Sequence, residues 1–115
     1  MKTIIAGSRD IIDYDFVKDV INSCPWEITE VVSGGATGVD TLGEKWAGEK
    51  GIAVRKFPAE WDKWGRSAGP LRNTQMADYA DALVLVWDGI SQGSGHMLEI
   101  ALKRGLTLHC RKYQK

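Results

Sequence analysis

The chain has 115 residues, enough for one domain and too few for two. Lys plus Arg (15) balance Asp plus Glu (15), so no overall basic field exists to gather nucleic acid or an anionic membrane, and any bound anion must be held by local geometry. A composition that is 43% hydrophobic and 26% charged is that of an ordinary globular protein, and no run approaches the roughly 20 apolar residues that cross a bilayer.

In chain order, Thr3 to Ala6 is a short isoleucine-rich run halted by Gly7. Phe16, Val17, Val20, Ile21 and Cys24 then recur at helical spacing. Val31 and Val32 lead into Ser33-Gly34-Gly35, and Val39, Leu42, Trp46 and Ala47 form a second helical face ended by Gly51. Ile52 to Phe57 reads as extended and stops at Pro58. Leu71 through Ala80 contains no breaker, and Pro70 suits the first position of a helix. Ala82 to Trp87 is continuously apolar; Met97, Ile100 and Ala101 form a stripe closed by Gly105; Leu106 to Cys110 is the final run. Apolar runs without alternation suit strands covered on both faces, and their alternation with helices predicts a single α/β domain over 1–115 built on an open parallel sheet. Right-handed crossovers gather the loops that follow the strands at one edge, where such sheets bind ligands.

Those loops hold nearly all the unusual residues. After the first strand, Gly7 permits close backbone approach, Ser8 offers a hydroxyl, and Arg9 is either a fork for phosphate or a solvated surface charge. After the second comes Gly34-Gly35-Ala36-Thr37-Gly38-Val39-Asp40, whose glycines expose backbone N–H groups at a helix start and form a ready anion nest. Thr37 with Asp40 has the spacing of a capping box; Asp40 can instead accept from a ribose hydroxyl. No lysine follows, so this is not the loop of a P-loop NTPase, and no GxGxxG follows the first strand. The stretch from Trp61 to Asn73 sets Trp61, Trp64, Arg66 and Arg72 among small residues; the indoles either stack on a base or cover the sheet edge. The fourth loop, from Trp87 to His96, places Gly93, Ser94 and Gly95 ahead of a helix as a second phosphate nest, with His96 a base, a donor or a bystander.

The remaining chemistry is sparse. Cys24 and Cys110 lie far apart and match no CxxC pattern, and His96 and His109 are too few for a metal centre, so neither a metal nor a cofactor is expected. Met1 to Arg9 does not have the pattern of a signal peptide, and a cytoplasmic protein is expected. The tryptophans and basic residues of 61–72 also permit a module for single-stranded nucleic acid, which the balanced charge argues against.

Taken together, Gly7-Ser8-Arg9, the 34–40 loop, Pro58-Ala59-Glu60-Trp61, the segment Gly65 to Asn73, and Trp87-Asp88-Gly89 with Ser91-Gln92-Gly93-Ser94 resemble the small stand-alone YspA-like branch of the SLOG superfamily, from Thr3 to about Leu108. The resemblance implies a Rossmann-like three-layer domain with a five-stranded parallel sheet of order 3-2-1-4-5. It also implies a phosphate-bearing, nucleotide-like ligand held by Gly7, Ser8, Arg9, the 34–38 loop, Asp40, Trp61, Trp64, Arg66, Arg72, Asn73, Asp88, Gly93, Ser94 and Gly95. Superfamily members include LOG enzymes, which cleave the N-glycosidic bond of nucleoside 5′-monophosphates, and sensor domains, one of which recognises a cyclic ADP-ribose signal. Relatives encoded by phages imply sequestration of such a signal as an anti-defence role, in which case the host cytoplasm is the expected location. Relatives that assemble, with Trp26 and Tyr14 read as an exposed helix face, point to a homo-oligomer.

The LOG enzymes carry an arginine ahead of the fourth strand and a glutamate in PGGxGTxxE. Arg72, with Asn73 and Met76, matches the arginine segment. If Gly93-Ser94 stands for Gly-Thr, the acid position falls on Met97; if Gly95-His96 does, it falls on Glu99. The first register keeps the branch's own pattern, and it puts Glu99 about 200° around the helix from Met97. Glycosidic cleavage needs an acid or base that methionine cannot supply. The sequence therefore favours a binding module that senses or sequesters its ligand; the hydrolase, with Arg72 and Glu99 as its catalytic pair, is the alternative.

Overall fold

The computed structural model describes residues 1–114. The apolar runs become strands β1 (Lys2–Gly7), β2 (Glu30–Ser33), β3 (Val54–Lys56), β4 (Ala82–Trp87) and β5 (Thr107–Lys112). They form one parallel sheet of order β3-β2-β1-β4-β5, as the resemblance implied. Ile4 lies beside Val32 on one side and Leu83 on the other. Successive side chains leave a strand on opposite faces, and both faces are covered, which is why the runs show no polar alternation. Ile5, Val31, Val84 and Val86 pack under the first pair of helices, while Ile4, Val32, Leu83 and Leu85 pack under the last pair.

The first pair is α1 (Tyr14–Asn22) and α2 (Val39–Lys50). Asp13 caps α1 by accepting from the Phe16 N–H at 3.1 Å, and Val17, Val20 and Ile21 face the sheet. Gly51 ends α2 in the left-handed conformation with φ 69°. Tyr14 and Trp26 do not form an exposed helix face. Both pack against the core on this side, Trp26 lies beyond α1, and its indole N–H donates to Thr3 Oγ1 at 3.0 Å.

The segment read as a loop before Pro70 is helical. A short helix α3 (Trp61–Trp64) and a single 3-10 turn over Gly65–Ser67 run directly into α4 (Ala68–Tyr79). Pro70 thus occupies the third position of α4 rather than the first, still within its first turn, where proline is tolerated. Helix α5 (Gln92–Arg104) also starts early, so Gly93, Ser94 and Gly95 form its first turn instead of preceding it. Strand order reverses between β1 and β4, and the loops leaving these two neighbours meet there.

Candidate functional site

Close approach of β1 and β4 builds the floor of the site. A Cβ on Gly7 would lie 1.7 Å from the Val86 carbonyl oxygen, so glycine is required there by the neighbouring strand. Ser8 is 1% exposed; its N–H donates to Val86 O at 3.2 Å, and its hydroxyl accepts from the Asp88 N–H at 3.0 Å. Asp88 Oδ1 accepts from the N–H groups of Ile90 (2.9 Å) and Ser91 (2.8 Å), and the Ser91 hydroxyl also donates to it. Those backbone donors hold the Asp88 carboxyl below its usual range. Ser8 and Asp88 thus join the first and fourth loops.

Above this floor lies a cleft of about 450 Å³. Arg72, Asn73 and Met76 of α4 form one wall, Gln92, Gly93, Ser94 and Met97 of α5 another, and Arg9, Ala36 and Asp40 close the third. An outer lobe of about 470 Å³ shares Arg9, Arg72, Asn73, Gln92 and Gly93 with it and adds Trp61, Arg66, Gly69, Pro70 and His96. Arginines therefore reach both lobes, and the start of α5 adds N–H groups with no acceptor inside the helix. Gly93 has open space where a side chain would stand.

Arg72 organises the inner wall. Its Nη1 donates to Gly34 O at 2.7 Å and its Nε to Asn73 Oδ1 at 3.2 Å. Asn73 in turn donates through Nδ2 to Gly93 O at 3.3 Å and to His96 Nδ1 at 3.2 Å, which places the imidazole proton on Nε2. Burial draws the Arg72 guanidinium below its usual value, opposed by the Asp40 charge. Asp40 is 5% exposed, and burial raises its carboxyl from 3.8 to about 6 against the opposing effects of the Ala36 N–H and of Arg72. The cleft can therefore hold an anion among arginines and helix N–H groups beside one poorly solvated carboxyl.

The second loop departs from the expected open nest. Gly35 N–H donates to Ser33 Oγ at 3.1 Å and Ala36 N–H to Asp40 Oδ2 at 3.2 Å, so both donors are used within the protein. The capping box does not form: Gly38 is the N-cap of α2, and the Thr37 hydroxyl donates to Arg9 O at 3.4 Å. Gly34 leaves room for Arg72, whose Nη1 would stand 2.4 Å from an added Cβ. Gly38, at φ +78°, packs on the first loop, where a Cβ would lie 2.4 Å from Ser8 O. Within 34–40 only Ala36 and Asp40 line the cleft.

The other expected residues divide. Gly7, Ser8, Arg9, Arg72, Asn73, Asp88, Gly93 and Ser94 line the inner cleft, and Trp61 and Arg66 the outer lobe. Trp64 lines neither lobe, and Gly95 faces the Trp87 ring, 3.5 Å from where its Cβ would be. Met97, 1% exposed, lines the inner cleft; Glu99 is exposed, pairs with Lys103 at 3.1 Å and lines neither lobe. Sequence reasoning missed Gln92 and Met76 and left His96 undecided. Helical spacing from Met97 points to Gly93 and Ser94 and not to Gln92, whose one sequence signal is that it directly precedes Gly93. Among the described residues no cluster of His, Cys, Asp and Glu is arranged to hold a metal, and no helix is long and apolar enough to cross a membrane.

Comparison with known proteins agrees with this architecture. The structure of DNA processing protein A (DprA) from Streptococcus pneumoniae superposes with a TM-score of 0.72 at 19% identity over 93% of this chain and 48% of that one. The present chain spans about half of that protein, and the likeness is one of fold. Gene 61 protein of Mycobacterium phage D29 is 31% identical over 117 residues, covering 93% of each chain. The profile of the YspA, cpYpsA-related SLOG family matches residues 1–64, which carry the first two of the loops described above. On these grounds the chain belongs to the YspA, cpYpsA-related SLOG family.

Proposed function

We propose that this protein is a binding module that senses or sequesters a nucleotide-derived, phosphate-bearing small molecule of the ADP-ribose or cyclic ADP-ribose type. The observation that carries the reading is the inner cleft itself: Arg72 and the first turn of α5 converge on it, and the α5 side chain beneath them is Met97 rather than an acid. Phosphate suits the guanidinium and the helix start. The phage-encoded relative favours sequestration of a host signal as the setting.

The hydrolase reading has one observation in its favour, the Asp40 carboxyl at about 6 lining the same cleft as Arg72. A group titrating there suits acid–base chemistry at neutral pH. The two readings separate in one experiment. Protein incubated with AMP, NAD, ADP-ribose and cyclic ADP-ribose is denatured, and the released small molecules are chromatographed, with native mass spectrometry reporting which of them was bound. A binding module retains at least one ligand and returns it unchanged. Free base and ribose phosphate formed over many turnovers, and lost in Asp40→Asn, would replace this reading with the hydrolase.

A further inference from the structure

We infer that Trp61 and Arg9 form a clamp for a planar heteroaromatic ring, so that the outer lobe is a base subsite while the inner cleft takes the phosphate; this rests on the reading of the cleft as a nucleotide site. Trp61 is a large apolar side chain left 50% exposed, and it lines the outer lobe. Trp64, 49% exposed on the same short helix, lines neither lobe, so exposure alone does not separate the two indoles and position does. The edge of the Trp61 ring lies over Gly69, where an added Cβ would lie 3.4 Å from Cη2, so the indole stands against the start of α4.

The Arg9 guanidinium carbon stands 5.9 Å from the Trp61 ring centroid. That is too far for a tight stacked contact, which needs about 3.5–4 Å between carbon atoms. It falls about 1 Å short of the ~7 Å that a flat ring sandwiched between two planes requires, at two such spacings. Arg9 is exposed on a loop and carries a long side chain, so an adjustment of that size is a change of rotamer rather than of fold. A guanidinium on one face and an indole on the other both attract a heteroaromatic ring. Arg9 also lines the inner cleft, so a phosphate there and a ring in the outer lobe are joined across a shared wall. Gln92 and His96 line the outer lobe as well and present amide and imidazole groups to the ring's edge.

The probes are AMP and ribose 5-phosphate, which share sugar and phosphate and differ by the base. Calorimetry on the wild type should give AMP the higher affinity, by about 5- to 150-fold, the range that alanine substitution assigns to one stacked base. Trp61→Ala should bring AMP down to the level of ribose 5-phosphate and leave ribose 5-phosphate unchanged. Trp61→Phe should keep most of the AMP preference while removing most of the AMP-induced quenching of tryptophan fluorescence. Trp64→Ala should move neither ligand, with circular dichroism reporting that each variant is folded. Equal affinities of the wild type for the two probes, or a Trp61→Ala variant that weakens both alike or neither, would overturn the clamp and leave the phosphate cleft standing. A wild type that binds ADP-ribose but neither probe would likewise overturn the clamp, and one that binds none of the three would remove the proposed function with it.

Discussion

Asp40 makes the sharpest test of how the cleft is built. Its carboxyl is raised from 3.8 to about 6, mainly by burial. The folded state therefore holds its proton more tightly than the unfolded state. Stability from this group is fully present below about pH 3.8 and is lost as pH rises through about 6. Two pH units at about 1.36 kcal/mol each make the ionised carboxylate at pH 7 a cost on the order of 2–3 kcal/mol. In Asp40→Asn the amide oxygen can still accept from Ala36 N–H, so the variant keeps the bond and removes the charge. Urea unfolding of both proteins at several values between pH 4 and pH 7.5 gives the difference between them, in which the other carboxylates cancel. The variant should gain on the wild type by about 2–3 kcal/mol across that range, with most of the change between pH 4 and 6.5. A difference that stays flat with pH, or wild type gaining on the variant as pH rises, would refute the assignment of Asp40 as a desolvated carboxyl.

Gly38→Ala should lower stability by roughly 2–5 kcal/mol, or a melting temperature drop of about 8–20 °C, because it combines a positive φ with a Cβ placed 2.4 Å from backbone. Gly48→Ala, in α2 with open space around it, should instead stabilise by about 0.5–1 kcal/mol in the same thermal melts. Arg72→Ala should weaken ADP-ribose binding by about 10- to 150-fold in calorimetry, the loss of one charge-assisted contact, and an effect under twofold would make this arginine purely structural. Glu99→Gln should change stability by less than about 0.5 kcal/mol and leave ligand affinity unaltered, since its ion pair with Lys103 is exposed; a large loss of affinity would mean that the α5 register is wrong.

Much of the fold was legible because its causes are local. Runs such as Ala82 to Trp87 declare strands covered on both faces, and the stops at Gly51 and Gly105 are read from glycine alone. The helical start at Trp61 was not legible, because a four-residue helix and a 3-10 turn bury no residue and so leave no apolar period to detect. At the site, helical geometry correctly separated Met97 from Glu99, since an angle around an axis follows from residue spacing. The glycines are a different matter. Gly34 and Gly38 marked the right loops for a reason other than the one their letters suggested, whereas Gly7 serves the close backbone approach expected of it. Each lacks a side chain to admit a neighbour: the Val86 carbonyl, the Arg72 guanidinium and the Ser8 carbonyl. In the second and fourth loops the open positions are Gly35, whose own N–H is already bonded to Ser33, and Gly93, which faces the cleft. A glycine kept for a neighbour and one kept for a ligand are the same letter in the chain. The residue that distinguishes them at Gly34 lies 38 positions away, at Arg72, and is brought to it only by the crossover of the sheet.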